Sequence, residues 1–130
     1  VVPTIDTGTP PSPAGGTIVA GTYDLVSLTS YLTDGGSDNA SVRRSTLVAS
    51  SVTATSLMLD VNETSGTSIK RQSGPVTISG STVTFAPTCP TGGNNGGSAG
   101  FTATATTFTL IDNNGNGNGA IRVQVYNKRN

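Results

Sequence analysis

Residues Thr53–Glu63 read TATSLMLDVNE. Leu57, Leu59 and Val61 alternate there with Met58, Asp60 and Asn62, the two-residue period of a strand that turns one face to a core. The same signal recurs on both sides. Upstream, Gly21–Leu32 (GTYDLVSLTSYL) sets Tyr23, Leu25 and Leu28 on one side, and Arg44–Ser50 (RSTLVAS) forms a second run. Downstream, Thr67–Gln72 and Val76–Ser79 flank Gly74-Pro75 and read as one long strand with a bend, because proline marks an edge or bulge. Gly80-Ser81 is a tight turn into Thr82–Ala86. Gly100–Ala105, Thr107–Asp112 and Ala120–Tyr126 follow, the last alternating Ile121, Val123 and Val125 against Arg122 and Gln124.

These eight or nine short runs, with no window of period 3.6, predict an all-β chain. Hairpin-length connections favour an antiparallel up-and-down meander of about eight strands. Few lysines guard an exposed edge, so closure into a barrel is the expected solution. The inward candidates are Tyr23, Leu25, Leu47, Leu57, Leu59, Val61, Ile69, Ile78, Val83, Phe85, Phe101, Phe108, Leu110, Ile121 and Val123. Ahead of the barrel (17–130), residues 1–16 carry Pro3, Pro10, Pro11 and Pro13 before Gly15-Gly16, the composition of an extended leader or tether.

The chain has 130 residues, seven basic and seven acidic, and only 11% are charged, against roughly 25% in ordinary soluble domains. Without a basic surplus, nucleic acid is not an expected partner. No apolar run reaches the ~20 residues of a membrane helix. Val1-Val2-Pro3 lacks the basic and apolar regions of a signal peptide. Thr, Ser, Gly and Asn dominate, with Glu63 the only glutamate and Lys70 and Lys128 the only lysines. That balance predicts a mature secreted or cell-surface protein. A lipidated cysteine before Val1 would make it a bacterial lipoprotein.

Chemistry has few parts here. There is no His and a single Cys, so triads and most metal sites are incomplete, and neither catalysis nor a cofactor is expected. Cys89 reads first as a small, partly buried hydrophobe at a strand end, with an intermolecular disulfide as its alternative. The segment DNNGNGNG sets Asp112, Asn114 and Asn116 at alternate positions before Gly117, as in a calcium loop. A bidentate twelfth-position Glu is missing, because Val123 stands there. A turn of residues that tolerate positive φ explains the segment without metal.

In its meander, its length and the opening of its first strand the chain resembles the lipocalin-like (calycin) barrels, specifically small secreted bacterial domains of that kind. Gly21-Thr22-Tyr23 stands where such barrels begin with Gly-x-Trp, with Tyr in place of Trp. The resemblance implies a basic residue of the last strand packed over that ring, with Arg122 as the candidate and Lys128 and Arg129 as substitutes. It also implies an interior that holds a small apolar molecule, lined by Leu57, Leu59, Phe85, Phe101 and Phe108.

Two functions follow as expectations. The first is a non-catalytic structural protein that assembles with copies of itself into a filament or surface layer. Val1, Val2, Thr4 and Ile5 would add there as a strand to a neighbour's sheet. The second is a carrier for a small apolar ligand.

Overall fold

The computed structural model describes residues 1–32, 41–89, 96–113 and 120–130. Among these residues there are nine strands and no helix: β1 (Thr4–Asp6), β2 (Gly21–Leu32), β3 (Arg43–Ser50), β4 (Ser56–Ser65), β5 (Ser68–Ser79), β6 (Thr82–Phe85), β7 (Gly97–Ala103), β8 (Thr107–Asn113) and β9 (Ala120–Lys128). Strands β2 to β9 each pair antiparallel with the next, and β9 returns to β2, closing an eight-stranded up-and-down barrel. Closure leaves no unpaired edge between β9 and β2, as expected for a chain with so few gatekeeper charges.

The closing seam runs from Tyr23↔Lys128 to Leu32↔Ala120, with one irregularity between Leu25 and Ser27. The extra residue, Val26, points to solvent, and the bulge resets the side-chain parity. It explains how Tyr23 and Leu25 can share the buried face with Leu28 and Ser30, which simple alternation forbids.

The two ends of the barrel differ. At one end, called here the floor, Ile18, Tyr23, Leu25, Phe101 and Phe108 are buried in the core cluster. Phe108 lies edge-on to Tyr23 with ring centroids 6.2 Å apart, and 6.1 Å from Phe101. At the opposite end, the mouth, lie the C-terminal ends of β2, β4, β6 and β8 and the starts of β3, β5, β7 and β9.

The segment before β2 is tied to its own barrel at both ends. Val1 N donates to Arg43 O at 2.7 Å, and Arg43 N donates back to Val1 O at 2.9 Å. β1 then runs parallel to Thr29–Tyr31 of β2, while β3 pairs with β2 only over Gly21–Asp24. The leader therefore fills the notch where β2 and β3 part. Further on, Gly15 bonds β7 through Phe101 O and Ala103 N, both at 2.8 Å, and Ile18 drops into the floor.

Several sequence expectations need correction. β9 is turned over at the cavity: Gln124 and Tyr126 face it, so Ile121 and Val123 lie on the opposite face, where Ile121 is half-buried and Val123 is still buried, with 5% of its surface exposed. Ile69 is 71% exposed instead of internal. Cys89 is exposed, not a partly buried hydrophobe, and its carbonyl accepts from Ser73 N. Arg122 pairs with Ser30, most of a strand away from Tyr23. The residue beside Gly21 and Tyr23 is Lys128: it faces Tyr23 across the seam, and its stem crosses so near Gly21 that a Cβ there would lie 2.6 Å from Cε.

Candidate functional site

A cavity of about 440 Å³ occupies the barrel interior, within the few-hundred-Å³ range of small-molecule sites. Its lower walls are apolar. Leu57, Leu59 and Val61 project from β4, Val76 from β5, Val83 and Phe85 from β6, and Phe108 and Leu110 from β8. The strict alternation of β4 makes this wall, because every second side chain of a strand meets the same face. Of the five lining residues expected from the resemblance, Leu57, Leu59, Phe85 and Phe108 border the cavity, and Phe101 is packed into the floor beneath it.

Toward the mouth the same inward rows turn polar. β4 continues from Val61 to Glu63, β5 carries Lys70 and Gln72, β8 carries Asp112, and β9 contributes Gln124 and the hydroxyl of Tyr126, whose ring packs in the floor 6.4 Å from Phe108. Lys70 faces Glu63 across the β4–β5 ladder, and Ser45 of β3 faces it from the other side. The Glu63 carboxylate lies 3.9 Å from both Arg43 Nε and Lys70 Nζ. Asp112 faces Arg122 across β8–β9. These residues form a polar collar above an apolar cup.

Electrostatics in the collar follows from burial. The Tyr126 hydroxyl donates within reach of Gln124 Oε1 (2.9 Å) and Ser45 Oγ (3.2 Å). Burial pushes its pKa up to about 12, against a smaller opposing pull from the Ser45 hydrogen bond. Burial also raises the Asp112 carboxyl, although Arg122 and Arg43 draw it down. A carboxyl held this way gives up its proton less readily than an exposed one.

Sequence reasoning missed the collar almost entirely. Glu63 was one step further along the Leu57–Leu59–Val61 row, so continuing that row would have found it. Gln124 and Tyr126 needed the sense of β9, which alternation alone does not supply.

The other candidates are not brought together. Thr4 bonds Thr29 and the Leu28 carbonyl, and Val1 bonds Arg43, so these leader residues pair within the chain, while Val2 and Ile5 are 71% and 61% exposed. In the calcium-loop pattern Asp112 lines the cavity, and Asn114 and Asn116 lie outside the described residues. Among the described residues no group of three or more potential metal-binding side chains occurs.

Compared with known proteins, the chain matches no family model, no curated protein and no solved structure.

Proposed function

We propose that this barrel is a binding protein that carries a small, largely apolar molecule in its interior. The observation behind this reading is the cavity itself: about 440 Å³, where the protein's own side chains would otherwise fill the space. Small eight-stranded barrels either pack their interior or hold one ligand. Apolar walls with a few convergent polar groups are the usual composition of such a site. Among the described residues the collar carries carboxylates, amides, a lysine and a tyrosine, groups suited to fixing the orientation of a bound molecule.

A neutral fluorescent apolar dye, such as N-phenyl-1-naphthylamine, tests this directly. The protein should bind it with saturable, one-to-one enhancement. Ala99→Phe, which places a ring into the cavity from β7, should weaken binding ~10-fold or more with the melting temperature kept or raised. Dye binding that is absent, or unaffected by Ala99→Phe, would remove the reading.

A second reading, self-assembly through the leader, is favoured by one observation. The exposed apolar side chains Val2 and Ile5 sit on a segment that fills a notch in the barrel wall. The same segment from a neighbouring copy could make these bonds in trans, giving a swapped chain of subunits. Light scattering checks it. Large species that collapse to monomer on Val2→Lys/Ile5→Lys would support assembly, and a monomer at every concentration would end it.

A further inference from the structure

Apolar exposure in this molecule is concentrated at one corner of the mouth. Among the described residues the four large apolar side chains most open to solvent are Val2 and Ile69 (71%), Ile5 (61%) and Val42 (57%). Val1 and Arg43 exchange both backbone hydrogen bonds, which sets Val2 beside Val42 in an antiparallel pairing. Gly66 N donates to the Val42 carbonyl from the other side, at 3.2 Å. One step down the wall, Arg44 faces Thr64 and Thr64 faces Ile69. In the step below, Thr46 faces Asn62 and Asn62 faces Arg71. Glu63, Lys70 and Gln72 line the cavity, so these alternate positions form the outer face of the rim.

Charge separates the possible occupants of this face. Arg44 and Arg71 are exposed, and among the described residues neither forms an ion pair. The three rows contain no carboxylate, because Glu63 points inward between Arg43 and Lys70. Asp34 and Asp38, outside the described residues, precede Val42 in the sequence, so the positive charge belongs to these outer rows and not to the whole mouth. Beside them lies a hollow of about 300 Å³, lined by Val1, Val42, Arg43, Arg44, Thr64 and Gly66. A second copy docked face to face sets arginine against arginine. A soluble polyanion has no use for the aliphatic side chains around them. An anionic bilayer takes both, drawing in cations within a Debye length and burying apolar side chains among its headgroups.

We propose that this corner of the rim docks on an anionic lipid surface. Val2, Val42 and Ile69 enter the interfacial layer, and a headgroup phosphate accepts from Arg44 at the hollow beside Val42. Docking itself needs only the rim and is independent of the small-molecule reading given above. Where that reading holds, the open end of the barrel lies against the membrane, and an apolar molecule passes from lipid to cavity with little exposure to water.

Co-sedimentation with vesicles tests the proposal. Mixed phosphatidylcholine–phosphatidylglycerol vesicles should pellet the protein, and phosphatidylcholine alone should bind it ~10-fold less. Arg44→Gln and Arg71→Gln should each weaken binding ~5-fold. Val42→Ser/Ile69→Ser should weaken it several-fold at unchanged charge, which separates a lipid surface from a site for polyanions in general. All four positions are exposed, so the variants should keep the parent's melting temperature and dye binding. Equal binding to the two kinds of vesicle, binding to neither, or binding that survives the arginine or the serine substitutions would overturn the lipid surface. Dye binding that persists in any of those cases would leave the apolar cavity standing.

Discussion

The Tyr126 hydroxyl lies behind the collar, bonded to Gln124 and Ser45. Tyr126→Phe would leave those two buried groups short of a partner, and chemical denaturation should register a loss of ~1–3 kcal/mol. Absorbance at alkaline pH offers a second check. One tyrosine should ionise near 12 in the folded chain and near the ordinary value of about 10 once unfolded. Between those values the native state holds the extra proton, so stability falls as pH rises through that window. Asp112 obeys the same sign at the acid end. Its raised folded pKa means stability drops as pH climbs above the unfolded carboxyl value. Asp112→Asn should therefore be more stable than the parent at neutral pH, with the gap closing in acid. Asp24 behaves oppositely: hydrogen bonds from Arg129 (2.5 and 2.8 Å) and Thr46 lower its pKa. Its contribution is present above the unfolded carboxyl value and fades as pH falls through the folded one.

Among the elements, β5 runs unbroken through Gly74-Pro75, its ladder with β4 continuous from Thr77 to Ser68. After β6 the chain doubles back along it, with Ala86 N on Pro75 O (3.0 Å) and Thr88 N on Ser73 O (2.8 Å). A Cβ on Gly74 would lie 2.5 Å from Ala86 O and 2.6 Å from Pro87 Cα, backbone atoms that cannot swing aside. Gly74→Ala should cost ~2 kcal/mol or more in a urea melt. Gly66, in the open β4–β5 turn at φ +60°, should cost only ~1 kcal/mol on the same change. The single long strand across Gly74-Pro75 was legible in the sequence, and the strands themselves to within a few residues. The sense of a strand was less so. In β9 the apolar set Ile121, Val123 and Val125 looks like a core row, yet Gln124 and Tyr126 are the pair that enters the barrel. Alternation states that two faces differ, and only the neighbouring ladder decides which is inside.

At the scale of the whole molecule, closure joins distant parts of the chain. Asp24 and Arg129, 105 residues apart, meet at the β2–β9 seam. Loop closure of that length comes before its reward, so refolding should fall in the ms–s range of all-β domains and not in the μs range of helical ones. Stopped-flow fluorescence of the tyrosines would show it. The barrel was legible from period, turn spacing and the scarcity of edge charges, all of which are local or compositional. The cavity was not, because it depends on how far medium-sized side chains fall short of filling a cylinder. The role of residues 1–6 was hidden too, since their pairing partners lie more than twenty positions away.

That pairing gives the barrel one loose stave. β1 holds β2 through three residues whose side chains are all exposed, whereas β9 grips the other side of the same strand along nearly its full length. Lifting β1 uncovers a slit in the wall beside the mouth and disturbs little of the core. Hydrogen exchange within β2 should therefore be lopsided. Amides that bond β1 near Thr29–Tyr31 should exchange at the low free energies of local opening, and those that bond β9 only on global unfolding. A molecule the size of the cavity would have a side door whose hinge is the proline-rich stretch that follows Asp6.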